Sequence, residues 1–211
     1  MTKKVKLTII IALCVVLVAA AVLTTVLLLA NKETEPSLPD NTKQLTKSGY
    51  MLTVGGNTEY VILVPADNTS NEYLAANELS DIIYNATGAR LEIVNEGEYE
   101  VVDGAPLISI GDTKLAIDGK VRTDDTDLLR SGYFVKTVDN RLFVMCDGDG
   151  IALSYAVYDL CEDAVGYRYY AADEIYYQRK TDVDLYVYDN MVMPDIDHRA
   201  TLYPSTQSDP D

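Results

Sequence analysis

Asp173 and Glu174 are adjacent carboxylates in a tyrosine-rich stretch. Glycoside hydrolysis requires two carboxylates about 5–9 Å apart across a cleft. The chain holds 33 acidic residues, so acidic pairs arise throughout it, and these two read as surface or structural acids. His198 is the only histidine. Any triad, imidazole metal site or His-based acid–base step would depend on it. It stands near the C-terminus with no recognisable partner and reads as a solvated linker residue. Asp147-Gly148-Asp149-Gly150 has the look of half a calcium loop, but position twelve of such a loop must be Glu, and Tyr158 stands there. A strand-to-helix turn with Asp149 as the helix cap explains these residues better. No G-x-G-x-x-G fingerprint occurs. The sequence therefore assigns no catalytic residue, no cofactor and no metal ligand.

Tyrosine is the compositional oddity, at 16 Tyr against 2 Phe and no Trp. Tyr167, Tyr169, Tyr170, Tyr176 and Tyr177 cluster together. Aromatic faces bind sugars, so Tyr167, Tyr169 and Tyr170 are the candidate glycan contacts. The alternative is that these rings cover half-buried β surface and keep their hydroxyls wet. Of the cysteines, Cys14 lies in an apolar N-terminal run, Cys146 ends an expected strand and Cys161 sits on an expected helix. Cys161 is roughly 16 Å along that helix, too far from the strand end for Cα atoms that a disulfide requires within ~7 Å. Buried free thiols are expected. Asn68-Thr69-Ser70 and Asn85-Ala86-Thr87 match the glycosylation pattern but carry little weight.

The elements that position these residues follow an N-terminal anchor. Residues 7–30 contain no charge. At ~1.5 Å per residue they span about 36 Å, enough to cross a ~30 Å hydrocarbon core with some tilt. Lys3, Lys4 and Lys6 precede the run, and Glu33 and Glu35 follow it. The positive-inside rule then puts residues 1–6 in the cytoplasm and the rest outside. The run is longer than a signal-peptide core, and Leu13 before Cys14 is not the small residue a lipoprotein wants. The expectation is an uncleaved single span in the cell membrane. Residues 31–48 are polar with two prolines and read as a linker.

Residues 49–192 read as one domain, and 193–211 as a polar tail or a linker to a further domain. After residue 30 the chain carries 14 Lys and Arg against 33 Asp and Glu, about −19. Such a domain repels nucleic acid, whose binding needs cations to neutralise phosphates. Tyr60–Val64 is a continuous apolar run and reads as a buried strand. Thr69 and Glu72 form a T-x-x-E capping box, opening a helix that ends at Thr87 with Gly88 as its stop. Leu91–Val94 and Pro106–Gly111 read as strands, with weak helical character at Thr113–Ile117. Tyr133–Val138 and Arg141–Cys146 flank Asp139-Asn140 as a hairpin. A second helix is expected over Ile151–Val165, stopped by Gly166. Arg168–Tyr170 and Asp184–Tyr188 read as further strands. This order implies an α/β (α+β) sandwich: a mixed β-sheet with two main helices on one face, preceded by the transmembrane helix.

These segments, Val61–Val94, Leu107–Thr113, Gly132–Val144 and Gly150–Glu174, resemble in fixed order the N-terminal domain of α-glucuronidases. They are also similar to the second domain of β-hexosaminidases. The shared pattern is a strand followed by Pro-Ala-Asp, a helix ending Thr-Gly, an Ile-Gly-Asp-Thr turn, Gly-Tyr-Phe-Val-Lys, and a helix ending Glu-Asp-x-x-Gly-x-Arg-x-Tyr. The resemblance covers about residues 50–190. It implies an α/β sandwich that packs against a catalytic barrel and carries no catalytic residue itself; the Asp-Glu pair of hexosaminidases belongs to the barrel. The chain stops near Pro194–Arg199, where a barrel of at least ~200 residues would begin. The expected function is a membrane-anchored, non-catalytic accessory domain associated with glycoside hydrolases acting on polysaccharide. The alternative is a stand-alone cell-surface module that binds a glycan or a protein. The expected partners are the membrane and a glycosidase barrel or polysaccharide.

Overall fold

Val61–Val64 becomes the second strand of the domain, and Ile62, Leu63 and Val64 are all fully buried. The structure, a computed structural model, describes residues 44–148 and 150–193. The expected anchor over 7–30, the tail over 1–6, most of the linker, Cys14, Asp149, His198 and residues 194–211 lie outside the described residues. Among the described residues no helix is long and apolar enough to cross a membrane.

In chain order the described strands are β1 (Lys47–Thr53), β2 (Val61–Val64), β3 (Glu92–Asn95), β4 (Leu107–Ile110), β5 (Tyr133–Val138), β6 (Arg141–Cys146), β7 (Arg168–Ala171), β8 (Glu174–Tyr176), β9 (Val183–Tyr186) and β10 (Asp189–Val192). The helices are α1 (Ser70–Thr87), α2 (Lys114–Asp118) and α3 (Ile151–Val165). Six strands form one mixed sheet in the order β10-β5-β6-β4-β2-β3. The β3, β2, β4 and β6 pairings are parallel, while β5 runs antiparallel to β6 and β10 antiparallel to β5.

Two-residue alternation sorts the side chains between the faces of this sheet. Ile62, Val64, Ile108, Ile110, Leu142 and Val144 share a core with Ala75, Leu79 and Ile83 of α1 and Ala156, Val157 and Leu160 of α3. The two main helices therefore cover one face, as the sequence indicates. Phe134, Phe143 and Met145 point the other way and pack with Ala116 of α2, Val121 and Leu128. That second cover was not expected. It consists of one short helix and the loop after it.

The loop is fastened by ion pairing rather than by apolar burial. Arg122 Nη1 meets Asp147 Oδ1 at 2.7 Å, and its Nε donates to the Asp124 carbonyl at 3.0 Å. The Leu128 N–H donates to Asp147 Oδ2 at 2.8 Å, holding the fully buried Leu128 in place. The hydrogen bond from Arg122 holds the Asp147 carboxyl below the usual carboxylate range, against the opposing effect of burial.

The helix boundaries follow the sequence signals. Glu72 accepts the Thr69 N–H, completing the capping box. Gly88 closes α1 in the left-handed region at φ 86°. α3 spans Ile151–Val165 as expected, but Gly150, at φ 81°, occupies its N-cap position instead of Asp149.

Three parts depart from the expectation of a single sheet. β1 begins at Lys47, inside the stretch read as linker, and pairs antiparallel with β9 as a separate ribbon. Its first five residues are exposed or half-buried, so they lack an apolar pattern. A Lys47–Asp184 ion pair of 2.7 Å fixes the register at that end. The expected Asp184–Tyr188 strand is β9, Val183–Tyr186, in the ribbon, and a further strand the sequence did not disclose, β10, lies beyond it on the edge of the main sheet. β7 pairs with β8, which the sequence did not disclose, as a third sheet. Cys146 and Cys161 form no disulfide, as expected, but only Cys161 is buried; Cys146 is half-buried.

The Arg122–Asp147 pair gives a testable consequence. Asp147→Ala should lower the unfolding free energy by about 1–2 kcal/mol, the low side for a charged partner because Asp147 is partly screened by solvent. A lower urea midpoint at unchanged m-value reads it. A depressed folded pKa contributes stability above the unfolded value of about 3.9, and that stability is lost as pH falls through the folded value. The midpoint gap between wild type and variant should therefore be full near neutrality and close as the pH falls below the usual carboxylate range.

Candidate functional site

Gly166 ends α3 at φ 64° and donates its N–H to the Glu162 carbonyl at 2.9 Å. The Tyr167 N–H donates to the Cys161 carbonyl at 3.2 Å. This paired closure is a Schellman-type turn. It swings Tyr167 back onto its own helix, where the ring stacks on Tyr158 at 5.9 Å between centroids and 10° between planes. The Tyr158 hydroxyl then donates to Glu78 Oε1 of α1 at 2.6 Å. The two helices and the segment after them are thus tied through two rings and a carboxylate.

Burial, the hydrogen bond to Glu78 and that residue's charge all push the Tyr158 phenol upward from its ordinary pKa. Burial likewise raises Tyr167 and the Cys161 thiol. A buried thiol of this kind stays protonated and unreactive. Glu78 Oε2 is buried and has no hydrogen-bond partner.

From Tyr167 the chain enters the β7–β8 hairpin. Tyr169 faces Ile175, and Arg168 faces Tyr176. All seven strand residues are exposed. The hairpin is rooted by the Gln178 N–H on the Val165 carbonyl at 2.8 Å and by an Arg168–Glu162 ion pair. It forms a tyrosine finger standing off the body of the domain. Between the finger and α1 lies a cavity of about 350 Å³, lined by Ile82, Asn85, Tyr167, Asp173, Ile175 and Tyr177.

The structure separates the three candidate glycan contacts. Tyr167 lines the cavity. Tyr169 and Tyr170, 61% and 68% exposed, stand on β7, where the pairing register with β8 shifts between Tyr169 and Ala171. Asp173 lies at the finger's turn and lines the cavity, while Glu174 opens β8. Sequence reasoning missed Ile82, Asn85 and Ile175 as parts of this site, and placed Tyr177 in the tyrosine cluster without making it one of the three candidate contacts. The hairpin turn Ala172-Asp173 contains neither Gly nor Asn, the usual signal for a two-residue loop. Had β8 been found, the alternation of Tyr169 with Ile175 would have followed. The arrangement supplies ring faces, an amide and a carboxylate, which suits stacking and hydrogen bonding to a hydroxyl-rich ligand. Among the described residues no group of His, Cys, Asp and Glu is placed to hold a metal ion.

No family model matches the chain, and no curated protein matches it. Weak structural similarity exists to CpGH84D, a glycoside hydrolase family 84 enzyme, at 11% identity and a TM-score of 0.39. The match covers 70% of this chain and 22% of that one. A likeness at this level carries no argument about what the chain does.

The finger buries almost nothing, so it should open locally before the core does. Limited chymotrypsin digestion should cut at Tyr169, Tyr170 or Tyr176 ahead of other tyrosines in residues 44–193. Tyr167→Ala removes the stack on Tyr158 and should speed that cut while lowering the global unfolding free energy by about 1–2 kcal/mol. First cleavage elsewhere in residues 44–193 would contradict the finger as a separate low-stability unit.

Proposed function

We propose that the chain is a non-catalytic accessory module of the carbohydrate-active type, held at the cell membrane by its N-terminal span and retaining glycan on the tyrosine finger. The observation that carries this reading is the finger itself. Tyr169, Tyr170, Ile175 and Tyr176 are exposed together on a ribbon of seven residues beside a cavity walled by Tyr167 and Tyr177. Single exposed apolar residues need no explanation, but a contiguous group of them marks an interaction surface. Tyrosine suits a sugar partner because its ring stacks on the apolar face of a pyranose while its hydroxyl stays hydrogen-bonded. The sequence resemblance to the accessory domains of α-glucuronidases supports the same class, and from it comes the non-catalytic role. The charge-free run over 7–30, with lysines before it and glutamates after it, supports the anchor and its orientation.

The test uses the full chain in detergent micelles, run through native gels containing soluble polysaccharides. At least one polysaccharide should retard the wild-type chain. Tyr169→Ala and Tyr170→Ala should each weaken retention about 3- to 10-fold, the range for one aromatic contact. Tyr73→Ala, on the exposed side of α1, should leave it unchanged. Retention that survives loss of both finger tyrosines would sink the finger as the contact. Glycan turnover by the purified chain would sink the non-catalytic role. For the anchor, the full chain should stay in the membrane fraction after alkaline carbonate washing, and a chain lacking residues 1–30 should be released.

A further inference from the structure

Two adjoining cavities lie where β2, β4 and β6 begin. The first, about 630 Å³, runs along β1 past Tyr50 and Tyr60 to Asn140. The second, about 570 Å³, continues from Tyr50 and Asn140 past Lys120, Lys136 and Arg141. Tyr50, Gly104 and Asn140 line both, so the two form one continuous groove.

Charge is the first mark of a site. Residues 44–193 contain 11 Lys and Arg against 26 Asp and Glu. Three of those eleven cations line the second cavity, facing only Asp103 and Asp139 among its acids. The second cavity thus carries one more cation than acid inside a strongly acidic domain, while the first adds a single acid, Glu59. Its cations are also weakly engaged. Lys120 makes no ion pair among the described residues, and Lys136 is 3.9 Å from Asp189. Arg141 directs Nε and Nη2 to the Ala105 and Val102 carbonyls, which fixes its position and leaves Nη1 over.

The second mark is a hydroxyl. Tyr60 is 5% exposed, its ring lines the first cavity, and its hydroxyl is buried without a partner. Burial pushes this phenol up to about 12. Buried polar groups are nearly always hydrogen-bonded, so an unpartnered hydroxyl on a residue that lines the cavity is a group a ligand could satisfy. Tyr50 is the residue beside it, 45% exposed on the outer strand of the β1–β9 ribbon.

We propose that this groove binds an extended ligand bearing carboxylate or phosphate groups. Lys120, Lys136 and Arg141 take the anionic groups, and the Tyr60 hydroxyl takes a polar group once the Tyr50 side chain swings aside. This site is independent of the tyrosine finger. The net charge of the domain opposes anions at long range, so such binding can arise only from local contacts.

Calorimetric titration of the full chain in detergent micelles tests it, using oligogalacturonate, a glycerol-phosphate oligomer of matched length and a neutral malto-oligosaccharide. At low salt at least one anionic chain should bind about tenfold or more tighter than the neutral one, and the one that does identifies carboxylate or phosphate as the source. The advantage should shrink as salt rises. Lys120→Gln with Lys136→Gln should reduce it to parity, and Tyr169→Ala should leave it intact. Tyr60→Phe should weaken binding several-fold while leaving the urea midpoint unchanged or raised, because it removes an unpartnered hydroxyl. The proposal is overturned if neither anion outbinds the neutral chain or if the double lysine variant keeps the preference. It is equally overturned if Tyr60→Phe lowers stability without changing affinity.

Discussion

The fold depends on the two-sided burial of β2 and β4. Ile62 and Leu63 point to opposite faces, and both are fully buried; so are Leu107 and Ile108. Strands dry on both faces need cover on both. α1 and α3 supply one cover from amphipathic faces. The other is built with few apolar residues, so polar contacts hold it. Ser109, buried in β4, shares a hydrogen bond of 2.7 Å with the Thr113 hydroxyl, and Thr113 in turn caps α2 by accepting the Ala116 N–H at 3.1 Å. Beyond α2, the Arg122–Asp147 pair draws Leu128 onto Phe134, Phe143 and Met145. Central burial thus dictates the clasp, although the two are far apart in sequence.

The same constraint decides where ligands can enter. In open α/β sheets the usual crevice lies at the carboxyl ends of the strands. Here that end is tightly packed. Glu72 turns back to the Thr69 N–H and lies so near Gly111 that an added Cβ would sit 2.8 Å from Glu72 Oε1. Gly150 packs on Asn71 in the same way, at 3.3 Å for an added Cβ. Both glycines have φ above 80°, a backbone that side chains rarely adopt, and the close neighbours crowd the same positions. The helix N-termini are occupied with each other and with the strand ends. At the opposite end the β1–β9 ribbon is rooted by Leu52, Val183 and Leu185 in the main core, and the segment after the finger by the Lys180 N–H on the Ala86 carbonyl at 3.1 Å. Open space remains between such attachments, and both grooves lie there.

What could be read from sequence was what local physics determines. The capping box at Thr69–Glu72, the glycine stops at Gly88 and Gly166, and the hairpin about Asp139-Asn140 each need only a few neighbouring residues. The helix face of Ala75, Leu79, Ile83 and Ala86 follows from period alone. Of the strands that escaped notice, β8 and β10 are short with exposed or half-buried residues, and β1 is buried only at its last two residues, Leu52 and Thr53. They exist because a partner strand distant in the chain pairs with them, and pairing leaves no apolar periodicity where one side faces water. The site followed the same division. Its tyrosines were conspicuous by composition, whereas Ile82 and Asn85 join it only because α1 ends beside the finger.

The finger's composition cannot be explained by stability. A two-stranded hairpin alone is marginal in water, and one with all seven strand residues exposed gains little from packing on the body. Tyr167 shows the contrast, since its ring stacks on Tyr158 and walls a cavity, so its size is accounted for within the fold. Tyr169, Tyr170 and Tyr176 have no comparable contact, and polar residues would satisfy the same backbone pairs. Large apolar rings gathered on a projecting ribbon also work against the solubility that the acidic surface otherwise secures. A feature that folding does not require and solubility disfavours is best accounted for by a partner. The acidic surroundings then narrow that partner at the finger to chemistry that stacks on rings and does not bring further negative charge.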